Sequence, residues 1–340
     1  MIVIDSHAHW VPQDFPKCPS DVPEREWPEM VPLEDGRARM MLGEKEFRIF
    51  TSEYWDVAGR IEYLDRHGVS FQILSPLPEL LGYWWNSKTT AAVADHINHS
   101  IAETVASAPA RFAGLGMLPL QDIDRSLKVL EQVNALGLRG LLVASNVNGV
   151  SLADSRFDPV FKEIERLGLA ILIHGYRPAG TERMLGSPIL EGIVGVPQDT
   201  MALIASFIMT DILKRFPALK LGFVHGGGAF GAVLDRLDHT WRGFPQMQQA
   251  VSTSPRDYVR RFYFDTVTFS VDYLRFIIKA FGADSLFAGS DGPNAIGQHG
   301  LEAFVMEACD GDVVTAEKIL WRNAVRFFVL DNLDAEWAPG

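Results

Sequence analysis

Short apolar segments alternate with amphipathic ones along nearly the whole chain, and this alternation limits the possible folds more than any other feature. Eight segments have the length and composition of buried strands: residues 2–5, 70–75, 112–117, 138–143, 169–173, 219–224, 261–265 and 286–290. Stretches with helical periodicity follow them, at residues 56–67, 88–108, 124–135, 158–167, 200–216, 230–242, 271–281 and 313–328. Asp56 and Asp124 are expected to be helix N-caps.

Eight strand–helix units in 340 residues fit a (β/α)8 TIM barrel, so we predict an α/β fold with a single barrel domain over residues 1–340. A doubly wound open sheet is the alternative. It is less favoured because no GxGxxG loop follows the first strand. Candidate metal ligands also follow strands one, five, six and eight, whose ends surround one centre only in a closed barrel.

Residues 11–55 do not follow the alternation, because they form a long insertion between the first strand and the first helix. The pattern of residues 37–50 predicts a small hairpin that turns near Gly43 and Glu44. A structureless loop of this length is uncommon in a compact domain. We therefore expect a small β flap over the mouth of the barrel.

Four of the predicted strands end in residues that can bind a metal ion. His7 and His9 close the first strand, and residues two apart in a strand point to the same face. His174, His225 and Asp291 follow three later strands, and the carboxyl ends of barrel strands converge on one face. We predict that His7, His9, His174 and Asp291 bind one divalent ion, that His225 is the general base, and that Asp291 also belongs to the catalytic machinery.

Three imidazoles and a carboxylate suit Zn²⁺, with Mn²⁺ as the alternative. Zinc lowers the pKa of a bound water toward about 7, and a general base then positions that water. The three glycines after His225 have two interpretations. They are either a phosphate cradle or a close passage of the backbone beside the metal centre.

The overall composition excludes several classes of function. A net charge of −12 argues against nucleic-acid binding. Cys18 and Cys309 form neither a disulfide framework nor a CxxC site. The N-terminus lacks a signal-peptide pattern, and there is no run of 18 apolar residues. We therefore expect a cytoplasmic protein without a membrane partner.

Several motifs together are similar to the amidohydrolase superfamily (amidohydrolase 2), and within it to the decarboxylase branch typified by 2-amino-3-carboxymuconate 6-semialdehyde decarboxylase. The similarity extends over nearly the whole chain. The matching segments are residues 4–9, 41–43, 47–48, 55–56, 60–62, 65, 68–69, 119–122, 225–228, 230, 236, 238, 241–242, 289–291, 293 and 323–324.

The resemblance implies one zinc ion held by the four candidate ligands, with His225 handling the water. It implies that Arg48 and Arg236 bind the substrate carboxylate, with one arginine contributed across a homodimer interface. Arginine suits that role because it binds carboxylates bidentately and keeps its charge. The activity it implies is metal-dependent, non-oxidative decarboxylation of a small unsaturated or aromatic carboxylate.

Two loops depart from the pattern of that branch. Residues 174–177 read His-Gly-Tyr-Arg where the branch has His-Pro-Trp. Residues 291–294 read Asp-Gly-Pro-Asn where it has Asp-Tyr-Pro-Phe. Both loops should line the substrate pocket, and Arg177 is either a second contact for an anion or a loop charge. The alternatives are a hydrolase or hydratase acting on a C–N, lactone or C–C bond, and a metal-binding protein that is not an enzyme.

Overall fold

The computed structural model describes residues 1–330 and Leu333. Its strands, numbered in chain order, are β1 (Ile4–Trp10), β2 (Pro28–Pro32), β3 (Ala38–Leu42), β4 (Lys45–Phe50), β5 (Phe71–Pro76), β6 (Phe112–Gly116), β7 (Gly140–Ala144), β8 (Asn146–Val147), β9 (Val150–Ser151), β10 (Ala170–His174), β11 (Lys220–Phe223), β12 (Tyr263–Asp265) and β13 (Leu286–Phe287).

The α-helices are α1 (Val57–Arg66), α2 (Ser87–Ser107), α3 (Ile123–Ala135), α4 (Asp158–Leu167), α5 (Val196–Met209), α6 (Ile212–Arg215), α7 (Phe230–Gly243), α8 (Pro245–Ala250), α9 (Pro255–Tyr258), α10 (Val271–Phe281), α11 (Leu301–Ala308), α12 (Val313–Glu317) and α13 (Asn323–Phe328). A π-helical turn, Lys318–Arg322, joins the last two.

Eight parallel strands form the central sheet in the order β1–β5–β6–β7–β10–β11–β12–β13. Backbone hydrogen bonds join its two ends: Ser6 N donates to Ala288 O at 2.8 Å, and Asp291 N donates to His7 O at 2.7 Å. The sheet therefore closes, and the predicted (β/α)8 TIM barrel is confirmed. Each strand predicted for the barrel is present.

Two local predictions were wrong. The N-cap of α3 is Asp122, whose side chain accepts a hydrogen bond from Arg125 N, whereas Asp124 lies in the first helical turn. The single helix predicted over residues 200–216 is two helices, α5 and α6. They are separated at Asp211, which takes a left-handed conformation with φ of 50° that a helix interior does not accept.

The insertion after β1 contains a three-stranded antiparallel sheet, β2–β3–β4. The predicted hairpin is β3 and β4, whereas β2 was not predicted, because its two prolines suggest a loop. Trp27 and the flap residues Met30, Met40 and Phe50 are buried and belong to the hydrophobic core of the domain. Their packing fixes β4, the strand that carries Arg48, against the barrel.

The helical segment Glu191–Met209 could cross a membrane by length and composition alone. Its last 14 residues are α5, which packs against β10 and α7 and buries Leu203, Ile204 and Phe207. That part of the segment therefore belongs to the helical layer around the barrel.

Candidate metal centre

The side chains of His7, His9, His174 and Asp291 converge at the C-terminal end of the barrel. One ligand atom from each lies within 4.8 Å of the others, and all four residues are buried. The two imidazoles on β1 share a face, as expected from alternation, with ring centroids 5.1 Å apart. The structure thus brings together the four residues predicted as ligands.

The three imidazoles are hydrogen-bonded in the way that is typical of metal-binding histidines. His7 Nδ1 lies 2.7 Å from Asp265 Oδ2, while its buried Nε2 has no hydrogen-bond partner in the described part of the chain. The Nδ1 atoms of His9 and His174 lie 3.2 and 2.7 Å from backbone carbonyl oxygens. Each ring is therefore oriented through Nδ1 and offers Nε2 to an ion, the usual arrangement around metal-binding histidines.

Electrostatics put three of the four candidate ligands in the protonation state that metal binding requires. Burial lowers the pKa of His9, and it lowers the pKa of His174 well below the usual value, so both rings are neutral at neutral pH. Burial opposes ionisation of Asp291, but the neighbouring imidazole of His225 and a hydrogen bond with His9 hold its pKa well below the usual value. His9, His174 and Asp291 therefore offer two neutral nitrogen donors and one anionic oxygen donor. By contrast, burial lowers the pKa of His7, but the Asp265 hydrogen bond and the Asp291 charge outweigh it and raise that pKa, so that a metal ion must displace its proton.

Asp265 is a functional residue that sequence reasoning missed. Besides its contact with His7, its carboxylate accepts hydrogen bonds from Gly226 N at 2.8 Å and Val267 N at 3.0 Å. It thus fixes a metal-binding ring and the start of the loop after β11. A signal was present, because Asp265 closes the predicted strand 261–265 as the ligands close theirs.

His225 lies at the edge of the ligand cluster. Its Nε2 atom is 3.8 Å from Asp291 Oδ2, its ring centroid is 4.8 Å from that of His174, and its side chain is 18% exposed. The glycines that follow it have positive φ. A Cβ on Gly228 would lie 2.2 Å from Pro197 O. Glycine is therefore needed at this position because the backbone passes close to the backbone of Pro197.

Arg48 reaches the metal centre from the flap. Its Nη2 atom donates to Asn294 Oδ1 at 2.7 Å, and Asn294 Nδ2 donates to Asp291 Oδ1 at 2.9 Å. The same guanidinium pairs with Glu79 at 3.3 Å, and Tyr54 Oη donates to Asn294 Oδ1 at 2.6 Å. Two hydrogen bonds therefore connect the predicted carboxylate-binding arginine to a metal ligand.

Arg236 lies elsewhere. It is exposed on α7, and no hydrogen bond or ion pair among the described residues joins its guanidinium to the metal-site side chains. Its predicted contact with the substrate stays a prediction, because within one chain it faces solvent.

A buried polar network supports β1 beneath the site. Arg60 is fully buried and donates to His9 O at 3.1 Å and to Gln72 Oε1 at 2.8 Å. Gln72 donates in turn to Asp5 Oδ2 at 2.7 Å, and Asp5 also accepts from Ser290 N at 2.8 Å. These bonds fix the spacing of β1, β5 and the loop that carries Asp291.

Fold and site together define a (β/α)8 barrel with a buried candidate metal centre at its C-terminal mouth. A family model described as amidohydrolase matches residues 4–330, and the chain belongs to that family. It is 33% identical to the 2-amino-3-carboxymuconate-6-semialdehyde decarboxylase of Dictyostelium discoideum over 330 residues, which cover 96% of this chain and 92% of that protein.

Solved structures agree on the fold. The 5-carboxyvanillate decarboxylase of Sphingomonas paucimobilis is 24% identical, with a TM-score of 0.77 covering 96% of this chain and 99% of that chain. A dihydroxybenzoic acid decarboxylase from Polaromonas sp. JS666, with bound manganese and the inhibitor 2-nitroresorcinol, is 22% identical, with a TM-score of 0.72 covering 97% of both chains.

Proposed function

We propose that this protein is a metal-dependent, non-oxidative decarboxylase of a small aromatic or unsaturated carboxylate. The observation that carries the proposal is the position of Arg48, two hydrogen bonds from the metal ligand Asp291 through Asn294. Arginine holds carboxylates through paired N–H bonds. A carboxylate bound there lies beside the metal centre, and the related decarboxylases act on compounds of this kind.

Decarboxylation breaks the bond between a substrate carbon and its carboxylate, and the electron pair stays on that carbon until a proton arrives. When bound, the divalent ion supplies a Lewis acid that stabilises the negative charge. His225 is placed to transfer the proton through Nε2, because it is next to Asp291 Oδ2 and partly open to the mouth. Arg48 holds the carboxylate end, and Asp265 keeps His7 oriented.

We propose zinc as the native ion. Three imidazoles and one carboxylate suit zinc, and manganese, which occupies the Polaromonas neighbour, is the alternative. Elemental analysis of protein purified without added metal distinguishes the two. About one zinc per chain supports the proposal, and one manganese per chain contradicts the choice of ion.

We also propose a homodimer in which Arg236 contributes to the substrate site of the neighbouring subunit. It is exposed on α7, which packs against α5. Just before α5, Leu185, Ile189 and Ile193 are 87%, 63% and 59% exposed, and such clusters of apolar side chains are typical of protein interfaces. Sedimentation of the purified protein at micromolar concentration tests the dimer, which a monomer would contradict.

The experiment that tests the activity is CO2 release by metal-loaded protein. It is offered 2-amino-3-carboxymuconate 6-semialdehyde, 5-carboxyvanillate and a set of hydroxybenzoates. Release that stops on chelation and returns with added metal supports the proposal. Hydrolysis of a lactone or amide panel by the loaded protein, without CO2 release from any carboxylate, would replace it with the hydrolase alternative.

A further inference from the structure

A groove of about 320 Å³ opens at the same end of the barrel as the metal centre. We call it the mouth groove, and its lining includes Tyr83, Trp84, Asn146, Tyr176 and Arg177. These residues lie in the loops that follow β5, β7 and β10. Since β10 ends in a metal ligand, two of the lining residues are only two and three positions further along the chain.

The walls of the groove are aromatic. The rings of Trp84 and Tyr176 lie 5.4 Å apart at an interplanar angle of 36°. Tyr83 also lines the groove, although only 2% of its surface is exposed. Aromatic faces of this kind pack against flat conjugated rings.

Arg177 supplies a positive charge to the groove without a counter-charge. Its guanidinium lies 4.5 Å from the centre of the Trp84 ring, and no ion pair within the described residues neutralises it. Asn146 Nδ2 donates to Tyr176 O at 3.1 Å, to Arg177 O at 3.4 Å and to Asp199 Oδ2 at 3.0 Å. The backbone beneath the arginine is therefore held in place before any ligand arrives.

The loop that follows β5 connects Arg48 with the mouth groove. Glu79, the ion-pair partner of Arg48, lies in that loop shortly before Tyr83 and Trp84, which line the groove. Of the two arginines, Arg48 is paired with a carboxylate and Arg177 is not.

We propose that the mouth groove binds the end of the substrate remote from the departing carboxylate, and that this end is an aromatic or conjugated group carrying a second acidic substituent that pairs with Arg177. The proposal rests on the proposed decarboxylase function and assigns recognition of the second acidic group to Arg177 in the mouth groove. Trp84 and Tyr176 hold the flat part, and the guanidinium moves from the Trp84 face to the acidic group.

The test compares binding of 4-hydroxyisophthalate with that of salicylate, which lacks the second carboxylate. Calorimetry on metal-loaded protein measures both affinities without relying on turnover. We expect wild type to bind the diacid about tenfold to a hundredfold more tightly, the effect of one charge-assisted hydrogen bond. Arg177→Gln should remove that preference while leaving salicylate binding unchanged, and Arg177→Lys should restore part of it.

Arg183→Gln is the matched control, because Arg183 is exposed on the same loop and its side chain bonds, among the described residues, only to Gly180 O at 3.4 Å. It should keep the wild-type preference. The proposed role of the groove would be overturned if Arg177→Gln weakened the binding of both ligands equally, or if wild type bound the two with equal affinity. Either result leaves the decarboxylase proposal intact, since CO2 release tests that separately.

Discussion

Arg48 Nη2 donates a 2.7 Å hydrogen bond to Asn294 Oδ1, which ties the flap to the loop that carries a metal ligand. The other end of the same amide donates to Asp291 at 2.9 Å. The Asn294 side chain therefore connects Arg48, the proposed carboxylate-binding residue, to the candidate metal centre. This link depends on Asn294, which lies in one of the two loops that depart from the pattern of the decarboxylase branch.

Removing the side-chain amide of Asn294 should weaken the connection between Arg48 and Asp291. For Asn294→Ala we expect KM for the carboxylate to rise about tenfold, the effect of losing roughly 1.4 kcal/mol of ordered hydrogen bonding. Metal content should stay at one ion per chain. Steady-state kinetics and elemental analysis measure the two quantities, with the exposed Asn134→Ala as control. An unchanged KM would mean that Arg48 is held by Glu79 alone.

Replacing His225 with Asn should separate catalysis from metal binding. The ring lies beside the four ligands but outside the set whose donor atoms cluster within 4.8 Å. We expect the variant to bind one metal ion and to lose about 10²- to 10⁴-fold in kcat, as for removal of a general acid–base. Loss of the metal together with activity would instead make His225 a ligand.

The sequence predicts the metal cluster well because its members obey local rules. His7 and His9 share a face by strand alternation, and His174 and Asp291 follow barrel strands. Asn294 and Glu79 could not be found in this way. Their contacts with Arg48 depend on how the flap packs over the barrel, which no short-range pattern specifies.

The two proposed carboxylate-binding arginines give a test of the dimer. Arg48→Ala and Arg236→Ala should each raise KM sharply, because each removes a charge-assisted contact. If Arg236 acts across the interface, mixing the two variants and letting subunits exchange should restore activity. Roughly a quarter of wild type is expected, since half of the dimers are hybrid and each hybrid has one intact site. No recovery after verified exchange would place both arginines in one subunit's site.

Metal binding should release about one proton near neutral pH rather than three. Burial lowers the pKa of His7, but the Asp265 hydrogen bond and the Asp291 charge outweigh it and raise that pKa above 6.5, whereas His9 and His174 are already neutral. Affinity therefore falls as pH decreases toward and through the raised pKa of His7, because protons compete with the ion.

Calorimetry in buffers of different ionisation enthalpy counts the protons released. Asp265→Asn should reduce the number of protons released at pH 7, since it removes the hydrogen bond that raises the pKa of His7. It should also weaken metal binding about 10- to 100-fold, because the His7 ring is no longer held in its orientation. Release of two or three protons would contradict the assignment of neutral rings to His9 and His174.

The close passage of the backbone after His225 should make Gly228 intolerant of a side chain. Its φ of 62° and ψ of −130° suit glycine, and an added Cβ would lie 2.2 Å from Pro197 O. Gly137→Ala is the matched control, because Gly137 has φ of 73° but nothing within 4 Å of an added Cβ. We expect the control to lose about 1 kcal/mol of unfolding free energy and Gly228→Ala to lose more, about 3 kcal/mol. Urea denaturation of both measures the difference, and equal losses would show that backbone strain alone, without the contact to Pro197, selects glycine there.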